Sequence, residues 1–329
     1  MQFTNIVLNI MSNKFKPAWW LSNPHLQTMW PTFLRSEIKG LEIKRERIEL
    51  PDGDFIDCDW LGQDSNKPII FLLHGLEGTI ESPYVKGMMK ILNANGWRAL
   101  FINFRGCSGE PNRLPRAYHS GETDDVEFII KTIKNREPDV GLGAIGFSLG
   151  GNVLLKWLGE TGTANPLKAA AAVSVPFELA KSCYRMTQGF SRVYQKHFLR
   201  ALKKKMLLKF KNKQAPFSID KLKALKTVKG FDDLVTATLH GFENADDYYA
   251  KSSSRQFLSS INIPTLLIQA ADDPFMTKDL LPTVNELSGT ITFELTEKGG
   301  HLGFVAGNSP WSPEYWLEKR IPDFFKNIL

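Results

Sequence analysis

The chain has 329 residues, 43% hydrophobic and 23% charged, a composition that excludes a disordered chain and suits one or two globular domains. Three scattered cysteines (Cys58, Cys107, Cys183) exclude a disulfide framework and a cysteine-rich zinc site, and without a run of about 18 apolar residues no transmembrane helix is expected. Forty-one Lys and Arg against 35 Asp and Glu give +6, which admits an anionic partner without identifying one. In chain order, residues 1–14 place no positive charge before a short apolar stretch and offer no cleavage site, so a cytoplasmic protein without signal peptide is expected. Residues 1–40 read as an N-terminal arm packing on the core. Segments 41–50 and 55–61 flank Pro51-Asp52-Gly53-Asp54 and read as an antiparallel hairpin. Five short apolar runs, at 68–73, 98–104, 144–147, 170–175 and 264–268, suit parallel strands buried on both faces. An alternating sixth at 291–295 suits an edge strand. Helical patterns at 84–95, 123–135 and 149–159 separate the strands, the rhythm of βαβ units in an α/β sheet. The rhythm breaks between 177 and 254, where the chain is helical with no strand. Such an insertion between core segments 41–176 and 255–329 reads as a cap over the carboxyl ends of the strands. Residues 316–329 read as a closing helix.

Three motifs invite a chemical reading. Gly146-Phe147-Ser148-Leu149-Gly150 matches the nucleophile elbow G-x-S-x-G, and its setting, after an apolar run and before a helical pattern, is the strand–turn–helix context the elbow needs. Gly141-Leu142-Gly143-Ala144-Ile145-Gly146 spells a dinucleotide fingerprint but runs into a strand, whereas phosphate binding requires it to leave one and open a helix. His119-Ser120-Gly121-Glu122-Thr123-Asp124 fits an H-x-x-x-x-D acyltransferase pattern. Its plainer reading is a helix start capped by Ser120 or Thr123.

A serine nucleophile needs a base within hydrogen-bond reach and an acid to orient it, and after an elbow both follow in the chain, acid first. Only His197, His240 and His301 lie beyond Ser148. His197 and His240 fall in the insertion, whereas His301 sits in the loop Gly299-Gly300-His301-Leu302-Gly303 after the last strand, so His301 is the expected base. Asp272-Asp273-Pro274 follows the strand at 264–268. Asp273 is the preferred acid, fourth in a G-x-x-D-like turn in which Ala270 replaces the glycine, and Asp272 stays open. An oxyanion hole needs two backbone N–H groups. One is expected from Leu149 and the other from Leu76, in the loop His74-Gly75-Leu76-Glu77-Gly78, which His74 would brace.

With Asn23-Pro24-His25-Leu26-Gln27-Thr28, Phe104-Arg105-Gly106-Cys107-Ser108-Gly109-Glu110, the elbow, Asp272-Asp273-Pro274-Phe275 and Gly299-Gly300-His301, the sequence resembles the YheT-like esterases of the α/β-hydrolase superfamily. These are related to the eukaryotic abhydrolase-domain lipases and medium-chain ester synthases. The resemblance runs from about residue 17 to residue 307. It implies an α/β-hydrolase fold, a Ser/Asp/His triad falling on Ser148, Asp273 and His301, and hydrolysis of carboxylic or lipid esters without metal or cofactor. Acyl transfer to an alcohol, and a non-catalytic protein that binds a membrane surface, stand as alternatives. His25 is read as an anchor of the arm to the sheet, with a place in the pocket lining as the alternative. Trp19, Trp20 and Trp30 are read as core cover or as a patch that meets lipid.

The charge is uneven. Residues 181–229 hold 15 Lys and Arg and one acid, Asp220, a net of +14 that leaves −8 on the rest of the chain. Phe198, Leu199, Leu202, Met206 and Phe210 recur there at helical spacing among Arg200, Lys203, Lys204, Lys205 and Lys209. The pattern suits either a helix packed by its apolar face with solvated lysines or peripheral contact with an anionic membrane. No nucleic-acid partner is expected, because no nucleic-acid-binding fold accompanies the charge.

Overall fold

The computed structural model describes residues 15–62 and 66–329. The expectation that residues 1–14 carry no signal peptide lies outside the described residues. The arm begins the described chain with α1 (Pro24–Phe33). Strands β1 (Lys44–Glu49) and β2 (Phe55–Leu61) form the expected hairpin, closed by Gly53 N–H donating to Leu50 O. Then β3 (Ile69–Leu73), α2 (Pro83–Ala94), β4 (Arg98–Ile102), α3 (Asp124–Arg136), β5 (Leu142–Phe147), α4 (Leu149–Thr161) and β6 (Ala169–Val173) alternate. The insertion follows with α5 (Leu179–Arg185), α6 (Arg192–Lys209), α7 (Ile219–Ala224), α8 (Val228–Phe231), a π-helical turn (Asp232–Thr236), α9 (Ala237–His240) and α10 (Ala245–Ser252). The chain closes with β7 (Thr265–Ala270), β8 (Ile291–Thr296), a short hairpin β9 (Val305–Ser309) and β10 (Ser312–Tyr315), and α11 (Leu317–Phe325).

Eight strands form one sheet in the order β1-β2-β4-β3-β5-β6-β7-β8. From β4 to β8 every pairing is parallel, and only β1 with β2 and β2 with β4 are antiparallel. The continuous apolar runs follow from burial on two faces. In β3, Ile69, Phe71 and Leu73 pack toward α3 and α4, while Ile70 and Leu72 pack toward α2 and α11. β8 is an edge strand, as its alternation predicts.

A separate apolar core holds the insertion together. Leu199, Leu202, Met206 and Phe210 of α6 pack there with Phe231, Tyr248 and Tyr249. The apolar stripe is therefore packed inside the cap, as the first of the two readings of this helix expects. Three of its lysines are also engaged: Lys203 Nζ donates to Lys223 O and Leu225 O, Lys205 Nζ to Glu77 and Lys209 Nζ to Arg116 O. No described helix is long and apolar enough to cross a membrane.

Candidate active site

Four strand ends converge on the site. Ser148 directly follows β5 and precedes α4, with φ 51° and ψ −118°, a strained conformation that non-glycine residues adopt where the surrounding structure enforces it. The elbow is too tight for side chains on its flanks: a Cβ on Gly146 would stand 2.6 Å from both Gly150 O and Gly151 Cα. Ser148 Oγ donates to His301 Nε2 over 2.9 Å, and His301 Nδ1–H donates to Asp273 Oδ2 over 2.8 Å. His301 lies in the loop after β8, and Asp273 in the turn after β7. The Asp273 carboxylate also accepts from Gln269 Nε2–H (3.2 Å) and the Phe275 backbone N–H (2.8 Å).

Of the two neighbouring acids, Asp273 touches the imidazole and Asp272 does not. Asp272 Oδ1 accepts the Gly300 N–H over 2.9 Å, and burial raises its carboxyl above the usual range. Asp272 therefore braces the histidine loop. His197 and His240 are not brought to Ser148. His240, at the end of α9, meets His119 edge-to-face with ring centroids 4.4 Å apart.

The loop after β3 lies alongside. A Cβ on Gly75 would stand 3.2 Å from Ser148 Cβ, and both Leu76 and Leu149 line the cavity with Ser148. Leu149 opens α4, so its N–H has no acceptor within the helix. His74 Nδ1–H donates to Gly75 O (2.7 Å), and the Phe104 N–H donates to His74 Nε2 (3.2 Å). Burial holds this imidazole neutral, its pKa lowered to about 3. His74 thus braces the loop. Tyr84 OH accepts the Gly75 N–H and Tyr118 OH accepts the Glu77 N–H, supports that no periodicity in the sequence signals.

The segment 23–28 has a use that its sequence does not disclose. Asn23 caps α1, its side chain accepting the His25 and Leu26 N–H groups. Thr28 Oγ accepts the His301 N–H over 2.9 Å and donates to Pro24 O over 2.7 Å. Fully buried Gln27 donates to Leu21 O and Val305 O and accepts the Val305 N–H. The fit is close: a Cβ on Gly300 (φ 61°) would meet Pro24 O at 2.6 Å and Thr28 Oγ at 2.8 Å. His25 anchors the arm to the cap rather than to the sheet, because its ring meets Phe190 at 4.6 Å and its Nδ1 meets Tyr194 OH at 3.2 Å. Trp20 and Trp30 pack together over Ala18, Leu21 and Val305, whereas Trp19 is 76% exposed.

His119 does not serve a capped helix start. Thr123 occupies the N-cap position of α3, but its hydroxyl donates to Glu160, and the Ser120 N–H donates to Tyr248 OH. His119, Glu122 and His240 bring donor atoms within 4.8 Å of one another, a spacing open to a metal ion. Two features oppose one: His119 Nδ1 accepts the Gly121 N–H, which keeps the proton on Nε2, and Arg116 donates to Glu122. A metal-binding imidazole donates from its second nitrogen instead. The three cysteines are free and buried.

The family model described as alpha/beta hydrolase fold matches residues 68–307. The chain is 42% identical over 323 residues to the candidate esterase YheT of Escherichia coli (strain K12), covering 97% of this chain and 94% of that protein. It is 29% identical over 318 residues to the phospholipase ABHD3 of Homo sapiens, covering 93% and 77% respectively. Among solved structures, the esterase Pf2001 of Pyrococcus furiosus superposes with a TM-score of 0.59 at 17% identity, over 95% of this chain and 99% of that one, a likeness of fold. On these grounds the chain belongs to the α/β-hydrolase fold family and, within it, to the YheT-like esterases.

Proposed function

We propose that this protein cleaves carboxylic esters of medium-chain or lipid acyl groups through an acyl-enzyme on Ser148. The observation that carries the reading is the unbroken line from Ser148 Oγ through His301 to Asp273, at 2.9 Å and 2.8 Å, on a serine held at positive φ. As Ser148 Oγ attacks the carbonyl carbon, its proton passes to His301 Nε2. Asp273 holds the imidazole by Nδ1–H and stabilises the imidazolium. The Leu76 and Leu149 amides stabilise the oxyanion. His301 then protonates the leaving alcohol, and water, deprotonated by the same imidazole, releases the acid and restores Ser148.

The acyl preference rests on the lining of the cavity that opens at Ser148. Leu149, Phe198, Phe275 and Met276 line it beside the serine, a wall suited to methylenes rather than to a charged group. Transfer of the acyl group to an alcohol uses the same residues, so product analysis with added alcohol distinguishes the two outcomes. The central test is labelling by a fluorophosphonate. Wild type is expected to label stoichiometrically at Ser148 and Ser148→Ala not at all. Absence of labelling in the wild type, or labelling that survives the substitution, would overturn the assignment.

A further inference from the structure

The cavity at Ser148 is lined by side chains of two chemical kinds. Its lining mixes apolar side chains with polar ones, and among the latter the cap contributes Ser182, Cys183, Asp232, Thr236 and Tyr249. None of these five is in the hydrogen-bonded line of Ser148, His301 and Asp273, and the proposed chemistry makes no use of them. Asp232 is buried, and its carboxylate accepts from Tyr249 OH (2.6 Å) and Thr236 OH (2.7 Å). A carboxylate has about four acceptor sites. The nearby cation Lys229 is directed elsewhere, to Asp233 and Asp246. The Ser182 hydroxyl is buried and has no partner among the described residues. Asp232 also opens the π-helical turn Asp232–Thr236, a rare widening of a helix that recurs at functional sites.

A purely apolar acyl chain would fill this cavity and leave both groups without a ligand partner, an unfavourable pairing for buried polar atoms. A ligand hydroxyl answers both, donating its proton to a carboxylate and accepting one from a serine. An alcohol moiety such as glycerol carries its hydroxyls within two carbons of the ester. Here Leu149 follows Ser148 directly and Phe275 packs on the His301 ring at 4.1 Å, which favours methylenes next to the ester and a hydroxyl farther along the acyl chain.

We propose that Ser182 and Asp232 form a hydroxyl-recognition subsite, and that the preferred substrates are esters of hydroxylated medium-chain acids. This deepens the proposed function and rests on Ser148 being the nucleophile. Titration supports it from a second side: burial raises the Asp232 carboxyl to about 6, so the group is poised to gain from a donor that stabilises its charged form.

The test compares p-nitrophenyl esters of straight-chain C4 to C12 acids with their ω-hydroxy counterparts, using the full chain. At the length that spans the cavity, the hydroxylated ester should exceed the plain one in kcat/KM by roughly 10- to 100-fold, the selectivity of one hydrogen bond to a charged group. Ser182→Ala, which breaks no bond within the protein, and Asp232→Asn should each shrink that ratio at least fivefold while plain esters are still turned over. No preference at any length, or a preference unchanged in both variants, overturns the subsite. A readout independent of turnover is thermal stabilisation by alkane-1,ω-diols against 1-alkanols of equal length. The diols should raise the unfolding midpoint more in wild type and equally in Ser182→Ala; equal shifts in wild type overturn the proposal. Diol selectivity without fluorophosphonate labelling would leave the subsite standing and remove Ser148 instead.

Discussion

Thr28 joins the arm to His301, the proposed base. Its hydroxyl accepts the His301 N–H and donates to Pro24 O, so it fixes the backbone from which the imidazole projects. Thr28→Val keeps the shape and leaves that N–H unpaired, an imbalance of about 1–3 kcal/mol for a buried group. Steady-state kinetics should show kcat reduced about tenfold with KM within twofold, and Thr28→Ser restoring most of it. A general loss of fold would depress both variants and would not leave KM in place. The serine and histidine were legible because an elbow and a glycine-rich loop have fixed positions relative to strands. Asp273 was preferred over Asp272 without being separated from it, since adjacent residues nearly satisfy one spacing; the hydrogen bonds tell them apart, His301 Nδ1–H on Asp273 and the Gly300 N–H on Asp272. Thr28 and Gln27 were illegible for another reason: polar clamps obey no hydrophobic period.

At the scale of elements, α6 meets the loop after β3, which holds Leu76, a proposed oxyanion donor. Lys205 donates to Glu77 over 2.6 Å, with side chains 18% and 11% exposed, and lies 5.0 Å from the Tyr118 ring centroid. Glu77 follows Leu76 at φ 56°, so the pair ties the cap to a strained loop. Lys205→Met leaves a mostly buried carboxylate without its cation, held only by the Tyr118 hydroxyl, and stability should fall by about 1–3 kcal/mol, below the cost for a fully buried pair because solvent still screens this one. Glu77→Gln should cost a similar amount, and the double variant less than the sum. Urea unfolding of the four proteins measures this cycle; strict additivity would show that the contact contributes nothing. Strands β3 to β8 were readable because burial on two faces writes an apolar run. α1 was missed because its buried residues are Gln27 and Pro31, which form no apolar stripe, and β9 and β10 because they are short and half exposed.

Across the whole molecule, the +14 segment is seated on a body of opposite charge, and part of its charge is used in the seating. Lys205, Lys209 and Lys213 all reach acceptors on the body. The same interface sets His240 of the cap edge-to-face against His119 of the body, with the cations Arg116, Arg105 and Lys209 nearby. Burial first, and those charges second, lower the His240 pKa to about 4. An unfolded histidine binds its proton near 6.5. Between these values the unfolded chain carries the extra proton, so stability rises with pH through the window and is lost as pH falls. His240→Phe keeps a ring against His119, and the unpartnered Nε2 of His240 means that no protein hydrogen bond through that atom is removed. The variant should match wild type within about 1 kcal/mol at pH 8, since the cost of exchanging one ring for another is small when volume is kept. It should gain on wild type as pH falls from 6.5 to 4, by about 2–3 kcal/mol at the lower limit. Comparing the two proteins isolates this group from Asp232 and Asp272, whose raised carboxyl values act with the opposite sign. Urea midpoints at half-unit pH steps provide the measurement. A constant difference between the two proteins from pH 8 to pH 4 would mean that His240 titrates in the fold as it does in water, and that the cap does not exclude protons from this contact.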